Sequence, residues 1–312
     1  MNKNNMTKTR QYIIEQFLNC LKEERIPWEK TWQTKKPMNG ISSHVYRGIN
    51  NLLLSFIASE RKYNDPRWLT FNQIKEKKWQ LVNAKGQGVP IEYWSAYDIE
   101  EKKVLTVSEA QKIMKENTDR VKFIAKTYIV FNASLVDGIE PYISKSKKIS
   151  NTCIKEFFDT YLYNENIRLK SGGDTACYVP ESDEINIPEF TSFNNELDYF
   201  DTLAHEIAHS TGHKQRLNRT FGNFGSIDYA KEELNAEISS AFLNAELGIP
   251  AGPKRMKKYK AYIQFWISLL EEKPNELFKA IQEAEKISEY ILEKGEYELI
   301  INNEENFSLS EI

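Results

Sequence analysis

The stretch YFDTLAHEIAHSTGHKQRL, Tyr199–Leu217, carries three of the chain's four histidines: His205, His209 and His213. They are spaced four apart, and Glu206 follows the first. On an α-helix, positions i and i+4 lie on one face, one turn apart. Two imidazoles placed so can each reach a zinc ion at about 2.0–2.1 Å. Glu206, one residue round the helix, is then placed to take a proton from a water rather than to ligate. Leu203, Ile207 and Ala208 give the helix an apolar side for a core.

A catalytic zinc needs a third protein ligand and an open position. His213 extends the four-residue series, and Gly212 resembles the start of the metzincin pattern HExxHxxGxxH. That pattern needs a histidine ten after the first, where this chain has Gln215. The other candidate is EELNAE, Glu232–Glu237, on the following helical segment. Glu233 and Glu237 are four apart, so one carboxylate could bind zinc while the other orients a ligand histidine. HExxH followed at this distance by a helix bearing Glu resembles gluzincins. The reading takes His205, His209 and Glu233 as ligands of one zinc per chain and Glu206 as the catalytic base. Glu237 supports a ligand histidine, and His213 is structural or faces the substrate. The reaction this implies is amide hydrolysis, with Tyr178, Tyr229 and His213 as unranked candidates for stabilising the oxyanion. YVPESDEINIP, just upstream, could supply an edge strand for a substrate backbone.

The rest of the chain has a different character. Residues 1–140 hold 23 Lys and Arg against 16 Asp and Glu, whereas 141–312 hold 19 against 29. A basic half beside an acidic half points to different partners for each. Five of the six tryptophans (Trp28, Trp32, Trp68, Trp79 and Trp94) fall in the first third. They are interleaved with cations in WEKTW, HVYRGIN, RKYNDPRWLTF, KEKKWQ and KGQGVPIEYW. Non-specific single-strand binding uses aromatic faces for bases and cations for phosphates. On this reading Trp28, Trp32, Tyr46, Arg47, Arg67, Trp68, Lys85 and Trp94 are the nucleic-acid contacts.

No apolar run is long enough to span a membrane, and the N-terminus has no secretory signature. The three cysteines, Cys20, Cys153 and Cys177, form no CxxC pair. Both observations fit a cytoplasmic protein. Periodicity predicts helices over Thr9–Glu24, over NLLLSFIASER capped by Asn50 or Asn51, and over SEAQKIMKENTDR capped by Ser108. It predicts a hairpin hinged at KGQG, a strand over FIAKTYIVFNASLV, and two short strands around ESDE. Helices follow over NTCIKEFFDTYLYNENI, the histidine stretch, and YAKEELNAEISSAFLNAELGI ending at Gly248. A helical pair broken at Pro274 closes the chain.

The sequence as a whole resembles the ArdC-type antirestriction proteins of plasmids and other mobile elements. WEKTW, PMNGISSHVYRGIN with LLL, WLTFNQIKEKKWQLVNAKGQGVPIEYW and KTYIVFNASLVDGI carry the resemblance in the first half. INIPEFTSF, YFDTLAHEIAHSTGHKQRLNR and YAKEELNAEISSAFLNAELGI carry it in the second. Ser210 stands where the family usually has a bulky aromatic, and Asn83 and Ala84 precede the KGQG loop. The resemblance implies a single-stranded-DNA-binding domain, a zincin-like metallopeptidase domain, and protection of incoming DNA from host restriction. The expected fold is α+β in two domains. An N-terminal α+β DNA-binding domain covers 1–140, and PYISKSKKIS, 141–150, is the linker. A mainly helical zincin-like metallopeptidase domain with a small sheet covers 151–312. The expected partners are single-stranded DNA and a protein substrate, such as a restriction enzyme or another DNA-bound host protein, with no membrane. Two other readings fit the same residues: a non-enzymatic coat for single strands with a structural zinc, and an effector peptidase without a DNA role.

Overall fold

The computed structural model describes residues 6–28, 36–143, 149–223, 225–250 and 253–302, with the backbone alone over 253–261. By its contacts the chain divides into two units. The first takes Met1–Ile13, Met38–His44 and Asp65–Pro141; the second takes Ile14–Pro37, Val45–Asn64 and Tyr142–Ile312. A single boundary within 141–150 therefore does not describe the division: two earlier segments belong with the C-terminal part. Helix α1 (Lys8–Lys22) contributes to both units.

The first unit is built on two long antiparallel strands, β4 (Val89–Asp98) and β6 (Val121–Asn132). They pair without a break from Val89 opposite Val130 to Asp98 opposite Val121. β5 (Lys103–Leu105) flanks β4, β2 (Arg67–Thr70) flanks β6, and β1 (Met38–Asn39) adds to β2 in parallel. Two helices are started by capping boxes. Thr70 and Gln73 start α3 (Phe71–Glu76), and Thr106 and Glu109 start α4 (Val107–Glu116). In each, the threonine oxygen satisfies an orphan amide and the third residue reaches back to the cap. The expected cap Ser108 thus lies inside α4: Ser108 has Gln111 three residues on, but the box that forms is the earlier one, Thr106 with Glu109. The KGQG hairpin is also corrected. β3 (Gln80–Leu81), before that turn, pairs with β7 (Val136–Asp137) and not with β4. The true hairpin is β4–β5. Leu105, Ala110 and Val121 close one small core with Ala96, Ile113 and Met114; Leu69, Ile74, Ala133 and Val136 close another.

The second unit is mainly helical. α2 (Gly48–Glu60) buries every residue from Leu52 to Ala58. It starts at Arg47, which makes no side-chain cap, and not at Asn50 or Asn51. The remaining helices are α5 (Asn151–Asn164), α6 (Glu196–Ser210), α7 (Ile227–Leu247), α8 (Pro253–Glu272) and α9 (Asn275–Lys294). A small sheet is ordered β8 (Arg168–Ser171), β10 (Glu184–Ile187), β9 (Cys177–Val179), so β9 is an edge. The core packs Phe157, Phe158 and Tyr161 of α5 against Ile185, Ile187, Leu203, Ile207, Leu243 and Ile291. α7 ends at Gly248, whose φ of 68° is left-handed and favours glycine. Among the described residues no helix is long and apolar enough to cross a membrane.

Burial corrects part of the tryptophan reading. Trp28 is 1% exposed and Trp68 0%, so neither ring has a face to offer a base. Trp28 packs on Trp266 with centroids 5.5 Å apart, and Trp266 stacks on Tyr262 at 5.9 Å. The Trp266 indole also donates to the Ala230 carbonyl at 3.2 Å. Truncating a fully buried tryptophan leaves a cavity and an unpaired acceptor. Trp266→Ala should therefore lower stability by about 3–5 kcal/mol, read by chemical denaturation monitored by circular dichroism.

Candidate metal centre

Helices α6 and α7 lie side by side in opposite directions, and a ladder of polar contacts fixes their register. Asn244 donates to Asp201 at 2.6 Å, His205 Nδ1 lies 3.3 Å from Glu237 Oε1, and His209 Nδ1 lies 3.1 Å from Glu232 Oε1. Each turn down α6 meets a turn up α7. Asn195 caps α6 by accepting from the Asp198 amide, and Ser226 caps α7 by accepting from the Tyr229 amide. The loop between them folds back onto both helices. Arg219 in that loop forks onto Glu232 at 2.9 and 2.7 Å and donates to the Ala208 carbonyl at 2.9 Å. Gly222 lets the loop pass against α7. A Cβ there would sit 2.3 Å from the Tyr229 amide nitrogen, so any side chain would force the loop away.

This register brings three donor atoms together. His205 Nε2 and His209 Nε2 are 3.1 Å apart, and each lies 3.7 Å from a Glu233 carboxylate oxygen. Among the described residues His205, His209 and Glu233 form the group able to hold a metal ion. Ligands about 2.0–2.1 Å from a tetrahedral ion lie about 3.3 Å from one another, so the donor set fits one. With a carboxylate facing each Nδ1, that nitrogen keeps the proton and Nε2 keeps its lone pair for the metal. Glu206 is 3% exposed and lines the same cavity of about 500 Å³. Tyr178, Phe221, Tyr229, Tyr262 and the edge-strand residue Cys177 also line it.

The expected ligands His205, His209 and Glu233 thus converge beside Glu206, and Glu237 faces His205. His213 does not join them. α6 ends at Ser210, and the His213 ring sits in the following turn with Nδ1 3.9 Å from Asp183. The sequence reading gave Glu232 no role of its own. It is 4% exposed and serves His209 as Glu237 serves His205. The antiparallel register was the missing signal: once His205 meets Glu237, His209 must meet the acids a turn earlier on α7. Arg219 and Tyr262 were not anticipated at all.

All three oxyanion candidates have polar partners in the fold. The Tyr178 hydroxyl donates to Asp183 at 2.8 Å, and His213 faces the same carboxylate. The Tyr229 hydroxyl lies 3.1 Å from that of Tyr262 and is hydrogen bonded to Glu233. Burial, Tyr262 and the Glu233 carboxylate hold its pKa far above the usual phenol range, so it stays a proton donor.

The remaining nucleic-acid candidates scatter. Trp32 lies outside the described residues. Arg47 pairs with Glu289 at 3.2 Å, and with Tyr46 it lines a cavity that also holds Glu246, Glu285 and Glu298. Those carboxylates repel phosphate. Arg67 is engaged by Asp65 and the Glu140 carbonyl. Lys85 is exposed in a turn. Trp94 is 47% exposed, with the Arg10 guanidinium 5.2 Å from its ring centroid and its Nε1 donating to Glu92 at 3.2 Å.

With the geometry in view, comparison with known proteins is direct. Residues 7–131 match the N-terminal domain of anti-restriction factor ArdC, and residues 156–283 match a zincin-like metallopeptidase. Crystal structures of the antirestriction ArdC protein from plasmid R388, one Mn(II)-bound and one metal-free, superpose with a TM-score of 0.73 each. They are 27% and 26% identical, and the likeness covers 93% of this chain and 98% and 99% of those chains. The DNA primase TraC of Escherichia coli is 33% identical over 295 residues, 90% of this chain. This chain spans only 26% of that TraC's length. The fold and the family match define a zincin-like metallopeptidase domain, with a donor set that fits a metal, carried with a second, α+β domain. The two family matches and the structural likeness, which together run over most of the chain, give it the domain pair of ArdC: an ArdC-type N-terminal domain and a zincin-like metallopeptidase domain.

Burial alone would lower the His209 pKa, but the Glu232 hydrogen bond and the Glu233, Glu232 and Glu206 charges outweigh it and raise it to about 9. A folded-state pKa above the unfolded 6.5 stabilises fully below pH 6.5, and that contribution is lost as pH rises through 9. The metal-free protein should lose Tm across that window, and Glu232→Gln should flatten the loss. The same substitution should weaken Mn(II) or Zn(II) binding by about 10–100-fold, measured by calorimetry, because it removes the carboxylate that orients a ligand imidazole.

Proposed function

We propose that the protein binds single-stranded DNA and hydrolyses peptide bonds with a zinc ion held by His205, His209 and Glu233, protecting incoming mobile-element DNA in the cytoplasm. One observation carries the enzymatic reading: three converging donor atoms and a buried fourth acid, Glu206, line one open cavity beside an edge strand. The nucleic-acid reading rests on the ArdC-type N-terminal match over 7–131 and the basic character of that half. The DNA-binding function is assigned to the domain within 1–140 and the peptidase to that within 151–312.

When bound, the ion supplies Lewis acidity, lowering the pKa of the attacking water and polarising the scissile carbonyl. Glu206 takes the water's proton and passes it to the leaving amine, and its burial keeps that proton from bulk solvent. Glu237 and Glu232 hold the two imidazoles in one tautomer through the cycle. The Tyr229 hydroxyl donates to the carbonyl oxygen as charge develops there; of the three candidates it alone borders Glu233. The edge strand β9 offers its free backbone groups to an extended substrate chain. Holding DNA raises the effective concentration of the peptidase near other DNA-bound proteins, such as restriction enzymes.

Glu206→Gln should retain stoichiometric metal while hydrolysis of a fluorogenic peptide mixture falls by about 10²–10⁴-fold. Loss of metal without loss of activity would refute the assignment. Protection of DNA that is indifferent to Glu206→Gln would favour the coating role, with the metal purely structural. Tyr229→Phe should lower kcat by about 10²–10³-fold with little change in KM, since its contact strengthens only in the transition state.

A further inference from the structure

The β4–β6 ribbon of the first unit leaves one face open, and the register shows what stands on it. Tyr93 is opposite Lys126, Ser95 opposite Ile124, Tyr97 opposite Lys122, and Ile91 opposite Tyr128. Directly paired residues share a face, and alternate residues along a strand share it too. Tyr93, Tyr97, Lys122, Lys126 and Tyr128 therefore stand on one surface. Tyr93 is 59% exposed and Tyr128 42%, and their rings meet edge to face with centroids 6.3 Å apart. Both lysines are exposed.

The carboxylates of these strands are on the other side. Glu92 and Asp98 point to the opposite face, where Arg10 engages Glu92 at 3.1 Å and Arg120 engages Asp98 at 2.7 Å. Trp94 shares that opposite face, its ring beneath the Arg10 guanidinium. The open face thus carries cations and tyrosines with no acid from β4 or β6 among them. Its charge is complementary to phosphate, and its rings are free for stacking. Lys122 and Lys126, four residues apart on one strand, stand about 13 Å apart, enough to engage separate phosphates of one chain.

We propose that single-stranded DNA lies across this open face of β4 and β6, with bases stacked on Tyr93 and Tyr128 and phosphates held by Lys122 and Lys126. The proposal rests on the single-strand-binding reading above and gives it a surface quite different from the tryptophan set.

The test is fluorescence anisotropy on the full chain with a labelled mixed-sequence oligodeoxynucleotide of about 20 nucleotides, across a salt series. Tyr93→Ala with Tyr128→Ala should weaken binding at least about tenfold. Lys122→Ala with Lys126→Ala should weaken it and reduce the slope of log K against log salt by about 1.4, two phosphates at about 0.7 each. Lys122→Arg with Lys126→Arg should keep the wild-type slope. These side chains are exposed, so circular dichroism should be unchanged. Wild-type binding that neither pair of alanine variants alters would overturn this face and leave the single-strand reading standing. No binding by the wild type would overturn both. Unaltered DNA binding with a change of oligomeric state, seen by sedimentation, would assign the face to a second copy of the chain and overturn the proposal.

Discussion

Four carboxylates crowd the seam between α6 and α7. Glu206, Glu232, Glu233 and Glu237 are all at most 8% exposed. Buried like charges cannot stand beside one another without compensation. The architecture supplies it in three ways. Arg219 forks onto Glu232, the imidazoles take a carboxylate each, and His205, His209 and Glu233 converge as a donor set that fits a divalent ion. Removing any one compensating charge leaves the others uncovered. On the proposed metal assignment, metal affinity and stability of the second unit are one quantity seen twice.

The same seam holds the donor set in place. Both ligand helices are capped at their starts, cross-linked by the Asp201–Asn244 contact, and bridged by a loop that Gly222 allows to approach closely. The donor atoms are thus held by backbone geometry rather than by flexible side chains reaching across space. Tyr229, on the first turn of α7, inherits that rigidity, so the proposed proton donor, base and ligand set share one frame.

Legibility in the sequence followed from how local each signal was. HEIAH could be read because a helix places i and i+4 together whatever surrounds it, and Gly248 and Pro274 end their helices for equally local reasons. Glu233 was readable from its spacing to Glu237. Glu232, Arg219 and Tyr262 were not, because their roles depend on which way α7 runs past α6 and on where α8 lies. Lys122, Lys126, Tyr93 and Tyr128 were invisible for a related reason: strand pairing decides which of them share a face. The tryptophans misled because composition cannot separate a ring that lines a core from one that meets solvent. Trp28 and Trp68 are core, and only the fold tells them from Trp94.

The two units are written in alternating pieces of chain, with α2 and its seven consecutive buried residues belonging to the later-completed unit. A ribosome therefore releases Leu52–Ala58 long before α9, one of the elements this helix rests against, has been made. Until then a strongly apolar segment has no finished home, a period in which chaperone capture or misassembly competes with folding. Excising either half at one cut would prolong that exposure indefinitely. Shortened versions intended for separate study must carry Ile14–Pro37 and Val45–Asn64 with the C-terminal part.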